Sequence, residues 1–332
     1  MIGYAATPHG ACPHRLDPLS DGRPHSSRRA GAMARRLGAG WAVAAVKAGR
    51  QIHSRVDGHD FVFDVHETQD GVDIAFTVLG SDGPTVILVN NPFVPGAGWR
   101  RFTTDLAKHN RLVMYDLRNQ GASAAGPAGI DAHAADLKSL IEALPYERPY
   151  VVGHSIGCQI CAEFAAGSSD LISGLVLAAP VVNPTGSMRR QLIFQNFVDH
   201  LESGGLGALF DQLFMLTYSD RAVKFSGRAG RWGFRQRFVA VNADRDVGEN
   251  LRGMSDAQAG FAPDLTAIEC PTLILAGDDD ALSTPSGLRE TRDLIGDAEL
   301  AYLEGVGHNV YLEDNRAFQQ SIQGFIERVE SG

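Results

Sequence analysis

The segment Gly153-His154-Ser155-Ile156-Gly157 lies between an apolar run, Tyr150-Val151-Val152, and a stretch of small residues reaching Ala166. A serine placed where a strand turns straight into a helix is held out at the sheet edge in a strained conformation. Glycines two residues to either side remove side chains that would collide with so tight a turn. The start of the helix behind it favours the negative charge that develops on an attacked carbonyl. An ordinary strand-to-helix turn capped by serine would share this spacing, so the reading needs partners. A serine hydroxyl is inert at neutral pH until a base takes its proton, and the base needs an acid to fix its tautomer. The acid and then the histidine should follow the serine along the chain. Two places fit. Gly277-Asp278-Asp279-Asp280 ends the apolar run Thr272–Ala276, and Gly305-Val306-Gly307-His308 ends the run Ala298–Leu303. His308 sits in a glycine-flanked loop suited to presenting a side chain. The three aspartates leave the acid open, and those not used are free to cap the next turn or to face water. His154 is adjacent to Ser155 and cannot meet its neighbour's hydroxyl in line.

Alternating strands and helices would bring these residues to one edge. Phe61–His66 and Val72–Val78 alternate apolar and polar residues around a Gln69-Asp70-Gly71 turn, as half-buried strands do. Thr85–Val89, Arg111–Tyr115 and Leu175–Ala178 are continuous apolar runs, the pattern of strands buried on both faces. Leu137, Leu140, Ile141 and Leu144 recur at helical spacing, as do Phe318, Ile322, Phe325, Ile326 and Val329. Two opening strands followed by alternating strand and helix predict an α/β fold: a mostly parallel central sheet with helices on both faces. About ninety residues separate Ala178 from Thr272 with helical spacing and no clear strand. That is too long for one loop. The expected organisation is a basic extension over 1–56, a core over 57–180 and 270–332, and a helical lid over 181–269.

The chain has 332 residues, 44% hydrophobic and 21% charged, with four cysteines and a net charge of −9. This excludes a disordered chain and a disulfide scaffold, and argues against a nucleic-acid binder with a generally basic surface. No apolar run reaches the roughly 20 residues of a membrane-spanning helix. Residues 1–56 carry nine Lys/Arg against two acids. Ser27-Arg28-Arg29 ahead of Leu37–Val46 is loosely like a twin-arginine export signal, interrupted by Arg35 and Arg36. A disordered extension, with a short amphipathic helix over 34–50, is the expectation carried forward, together with a cytoplasmic setting.

With these residues in view the chain resembles the α/β-hydrolase superfamily. The resemblance covers roughly 60–332 apart from the insertion. It rests on Gly153–Gly157, Tyr115-Asp116-Leu117-Arg118-Asn119-Gln120-Gly121, Gly277–Asp280 and Gly305–His308. It implies Asp280 as the acid, a structural role for Asp116 and Arg118, and a lid. It also implies oxyanion donors from the N–H of Ile156 and from the loop after the third strand. There the family usually has His-Gly, and this chain has Asn90-Asn91-Pro92-Phe93. Asn in place of that histidine is similar to 3-oxoadipate enol-lactonases and to the hydroxyacyl-transferring synthase of rhamnolipid biosynthesis. Pro92 takes the donor's position but has no N–H. The second donor is then the Phe93 N–H or the Asn91 side chain, or the chemistry needs less help.

The expected activity is serine hydrolysis of an ester or thioester of an apolar acyl group through Ser155, Asp280 and His308, without metal or organic cofactor. Phe93, Trp99 and His154 are expected at the substrate. The alternative is an acyltransferase or cyclising thioesterase using the same triad. A non-catalytic ligand receptor on the same fold is a third reading. Arg221, Lys224, Arg228, Arg231 and Arg235 fall at i+3/i+4 spacing, which on one helix would make a cationic face able to dock an acyl-carrier protein or a coenzyme A phosphate. Phe194, Phe197, Phe210, Phe214, Phe225, Trp232, Phe234 and Phe238 are expected to pack the lid on the sheet and to line an apolar pocket. Cys158 and Cys161 lack a second ligand pair for zinc and read as core thiols.

Overall fold

The computed structural model describes residues 50–56, 59–183, 187–243 and 247–332. The strands are β1 (Gln51–Val56), β2 (His59–Glu67), β3 (Asp73–Gly80), β4 (Thr85–Val89), β5 (Arg111–Tyr115), β6 (Tyr150–His154), β7 (Gly174–Ala178), β8 (Thr272–Gly277) and β9 (Ala298–Leu303). The helices are α1 (Ile130–Ala143), α2 (Gly157–Ser168), α3 (Ser187–Thr217), α4 (Asp220–Asn242), α5 (Val247–Ala257), α6 (Pro285–Leu294), α7 (Val310–Glu313) and α8 (Asn315–Ser331). The strands form one sheet in the order β1-β2-β3-β5-β4-β6-β7-β8-β9. The first three are antiparallel, β3 runs antiparallel to β5, and from β5 to β9 every neighbour is parallel. This is the expected architecture.

Strand alternation explains how the sheet holds its layers. Ile87, Val89, Val113, Val151, Leu175, Leu177 and Ile274 enter the core shared with α1 and α2. Val86, Leu88, Leu112, Val152, Val176, Leu273 and Leu275 enter the core shared with α8. A period of two on a sheet covered on both sides leaves no polar positions in the central strands, so each reads as an apolar run.

Two elements depart from the sequence reading. β1 pairs antiparallel with β2 from Gln51↔Asp64 to Val56↔His59, so the sheet begins inside the segment assigned to the extension. Its polar composition suits an edge strand, which needs only its backbone paired on one side. The expected helix over 34–50 lies almost wholly outside the described residues. α6 was not anticipated: Thr284 caps it through its side chain to the Gly287 N–H, with Pro285 at its first position. Among the described residues no helix is long and apolar enough to cross a membrane.

Polar groups buried under β5 tie the sheet to α1. Arg118 donates through Nε to Asp136 Oδ2 at 2.8 Å and through Nη1 to Asp70 at 3.0 Å. One turn away on α1, His133 is fully buried with neither ring nitrogen hydrogen-bonded. Burial, with a smaller contribution from Arg118, pushes its pKa down to about 3 from 6.5. The unfolded chain therefore binds one more proton than the folded protein between pH 6.5 and 3. The contribution of a neutral His133 is fully present above 6.5 and is lost as pH falls through that window, by about 1.4 kcal/mol per unit. His133→Leu is expected to reduce the loss of stability between pH 7 and pH 5 by about 2 kcal/mol, measured by denaturant unfolding at both pH values. An unchanged pH dependence would mean that His133 takes up protons in the fold as it does in the unfolded chain.

Candidate active site

Ser155 stands at the junction of β6 and α2 with φ +58°. A non-glycine residue in the left-handed region costs on the order of 1–2 kcal/mol, so the surroundings must enforce it. They do: the Ser155 N–H extends the parallel ladder to the Ala178 carbonyl at 3.0 Å, while its own carbonyl already accepts from the Cys158 N–H at 3.0 Å. One residue serves strand and helix at once. A Cβ at Gly153 would lie 2.6 Å from Cys161 Sγ, and one at Gly157 would lie 2.7 Å from the carbonyl oxygens of Val89 and Asn90. The two glycines let β4, β6 and α2 approach closely enough to hold the turn.

His308 follows β9 and joins the two other groups. Its Nε2 is 2.7 Å from Ser155 Oγ and its Nδ1 is 2.8 Å from Asp280 Oδ2. Asp280 Oδ1 accepts from the N–H groups of Leu282 (2.8 Å) and Ser283 (3.1 Å). Burial pushes the Asp280 carboxyl up. The adjacent His308 and these backbone donors outweigh it and hold the pKa below the ordinary carboxylate value. The other two aspartates are used elsewhere. Asp278 accepts from the Gly305 N–H at 2.6 Å, and Asp279 from the Asp220 N–H at the start of α4 at 2.8 Å.

Behind the relay lies a second, neutral histidine. His154 is 1% exposed, and burial first, then His308, push its pKa down to about 3. Its Nε2 is 3.0 Å from the His308 carbonyl, and its Nδ1 is 3.3 Å from Asn91 Nδ2. The Asn91 Oδ1 accepts from the Phe93 N–H at 2.9 Å, which fixes the amide's orientation. Nδ2 must then donate to His154 Nδ1, so the His154 proton sits on Nε2 and bonds the His308 carbonyl. His154 thus holds the backbone of His308 and the side chain of Asn91. The Phe93 N–H, one expected oxyanion donor, is already engaged, whereas Asn91 Nδ2 keeps a second hydrogen and no described residue accepts from the Ile156 N–H.

A cavity of about 190 Å³ opens over Ser155. Phe93, His154, Ser155, Ile156 and His308 form its floor, and Phe194, Phe197, Phe210, Phe214 and Phe238 of the insertion contribute to its walls. Trp99 does not line it. A 3-10 turn over Gly96–Arg101 carries Trp99 into the core, where it packs on Tyr311 (4.9 Å between centroids) and Phe318 and bonds Asn90 Oδ1. Its expected place at the substrate is therefore corrected to a structural one.

The insertion also differs from expectation in its outer face. Phe225, Trp232 and Phe234 are exposed, Phe225 by 93%, rather than packed inward. Gly227, at φ +55°, breaks α4 between Lys224 and Arg228, so the five cations do not share one continuous helix face. Asp211 of α3 pairs with Arg231 at 2.8 Å and with Arg235 at 3.3 Å. Cys158 and Cys161 are free and buried, with burial raising both thiol pKa values. No cluster of potential metal ligands occurs among the described residues.

Sequence reasoning missed how the insertion meets the His308 loop. Where α3 gives way to α4, the Thr217 carbonyl and hydroxyl accept from the Asn309 N–H and side chain, both at 3.0 Å. Glu313 accepts from the N–H and hydroxyl of Ser219. No motif signals such contacts, because they pair ordinary polar residues across about ninety positions.

Comparison with known proteins bears on the fold. A family model described as "alpha/beta hydrolase fold" matches residues 88–315. N-formylmaleamate deformylase of Pseudomonas putida is 23% identical over 273 residues, 80% of this chain and 97% of that protein. A thermophilic esterase from Thermogutta terrifontis superposes with a TM-score of 0.66 at 20% identity, over 85% of this chain and 99% of that one. The enol-lactonase from Burkholderia xenovorans gives 0.64 at 21% identity, over 79% and 99%.

Because a Cβ at Gly157 would press on two backbone carbonyls that cannot rotate away, Gly157→Ala is expected to destabilise the protein by about 1–3 kcal/mol. Urea unfolding of the variant checks this. A change below about 0.5 kcal/mol would mean that the turn is looser than these contacts require.

Proposed function

From a chain that belongs to the α/β-hydrolase family, and is therefore a hydrolase-type enzyme, we propose a serine hydrolase that cleaves an ester or thioester of a mainly apolar acyl group. The observation that carries this reading is the continuous relay from Ser155 Oγ through both nitrogens of His308 to Asp280, at 2.7 and 2.8 Å.

The Ser155 oxygen attacks the acyl carbon as His308 Nε2 takes its proton. Asp280 keeps the remaining proton on Nδ1 and stabilises the imidazolium. The tetrahedral oxyanion is held by the Ile156 N–H and the free hydrogen of Asn91 Nδ2. His308 then returns the proton to the leaving alcohol or thiol. Water, deprotonated by His308, attacks the acyl-enzyme, and a second collapse releases the acid and restores the serine. Pro92 explains why a side chain serves here: it removes the N–H at that position. The insertion acts as the lid, its phenylalanines holding the acyl group and excluding water. The free buried cysteines fit a cytoplasmic setting. Acyl transfer would share the first half-reaction, but no feature of the cavity singles out an acceptor. An acyl-carrier protein would meet only a divided row of cations. Hydrolysis is the reading carried forward.

Intact-mass measurement after treatment with a fluorophosphonate is expected to show one adduct on the wild type and none on Ser155→Ala. A folded wild type that stays unlabelled would overturn the mechanism. Asn91→Ala is expected to lower kcat by about 10²-fold on an activated ester, the loss of one oxyanion donor. An unchanged or faster rate would reassign the donor to the Phe93 N–H, which the substitution releases.

A further inference from the structure

Two arginines, Arg189 and Arg190, line the cavity over Ser155, and among the described residues no aspartate or glutamate does. Arg190 is 7% exposed. A buried cation costs several kcal/mol unless a counter-charge and hydrogen bonds offset it. Here every partner is neutral. Nε donates to Gln258 Oε1 at 2.7 Å, Nη1 to the Asn183 carbonyl at 2.6 Å and Nη2 to the Phe261 carbonyl at 3.0 Å. The guanidinium carbon lies 5.1 Å from the centre of the Phe261 ring. No described carboxylate pairs with it. Burial lowers its pKa, yet an arginine stays charged.

A guanidinium has five N–H bonds, and these contacts use three. The side chain that carries the other two is anchored through Gln258. Gln258 donates to Gln159 Oε1 at 2.8 Å and to the Met254 carbonyl at 2.8 Å, and Gln159 belongs to α2, the helix that begins at the nucleophile. Arg189 lines both the cavity and a shallow depression on the outer surface, so it stands where the two meet. A structural clamp between α3 and residues 258–261 would account for the three donors. It would not account for a second cation beside it in a cavity to which no described residue brings an acid.

We propose that Arg190 and Arg189 form an anion subsite, and that the substrate carries a carboxylate remote from its scissile ester or thioester bond. The carboxylate takes the two remaining N–H groups of Arg190, and Arg189 draws it in from solvent. The pairing supplies a counter-charge that no described residue provides, in surroundings where a charge-assisted bond is strong. This deepens the hydrolase reading and rests on it. The carboxylate can belong to the acyl part or to the leaving group, since both pass through the same cavity.

Two pairs of probes separate these sources. The first compares the mono-4-nitrophenyl ester of adipic acid with that of adipamic acid, its neutral isostere. The second compares the hexanoyl ester of 4-hydroxybenzoate with that of 4-hydroxybenzamide. The wild type is expected to favour the carboxylate by about tenfold or more in kcat/KM in one pair. Arg190→Gln is expected to bring that ratio to about one, and Arg190→Lys to leave it between. The ratio is internal to each preparation, so it does not depend on how much of a variant folds. A wild-type ratio near one in both pairs overturns the subsite. If no ester is turned over, the hydrolase reading has failed, and calorimetry with adipate and with hexanamide decides this one separately. Adipate bound selectively by the wild type and not by Arg190→Gln supports it, and no binding of adipate overturns it.

Discussion

The imidazole of His308 is the part on which the rest of the structure converges. Each nitrogen has one partner, and these lie on segments 153 and 28 residues away. A ring so committed works only if its rotation, tautomer and backbone are all fixed. The carboxylate of Asp280 fixes the proton, and two backbone donors fix that carboxylate. A second imidazole, kept neutral by burial, fixes the His308 carbonyl. The sheet's role is to end β6, β8 and β9 at one edge, so that the three loops meet without long excursions.

Much of this was legible in the sequence because it depends on backbone approach, which leaves local marks. Gly153 and Gly157 record the closeness of β4 and α2, and the glycines before Asp278 and around His308 record sharp exits from strands. The choice among the three aspartates was not local. Asp278 and Asp279 differ from Asp280 in which backbone amides come within reach after folding. Trp99 misled because an aromatic residue after a strand can turn either into the cavity or beneath the sheet, and the 3-10 turn that decides has no strong signature. β1 was hidden by its composition, since an edge strand needs few apolar side chains.

The insertion shows where periodicity ceases to be a guide. Gly205 and Gly227, both at positive φ, break α3 and α4, and each break rotates the residues beyond it away from the face that simple spacing assigns. Phe210, Phe214 and Phe238 meet over the cavity, while Trp232, beyond the second break, faces outward, as does Phe225 before it. The cation row is split by the same device. Buried arginine carries no motif at all: its setting exists only when α3, α5 and the segment before β8 are assembled around it.

The junction of α3 and α4 bears on how this molecule could be rebuilt. Thr217 and Ser219 are fastened to Asn309 and Glu313, at the two ends of the short helix that follows His308. An insertion between two strands is ordinarily exchangeable, because it touches the scaffold at its ends and by general packing. Here a third attachment lies midway along it, one residue from His308. A chimera that imports a different insertion would leave the His308 loop without its brace unless the Thr217–Ser219 joint, or an equivalent set of acceptors and donors, came with it. The lining of the cavity and the placement of His308 are thereby inherited together: recombination can change what the cavity admits only along routes that also preserve the seat of the histidine.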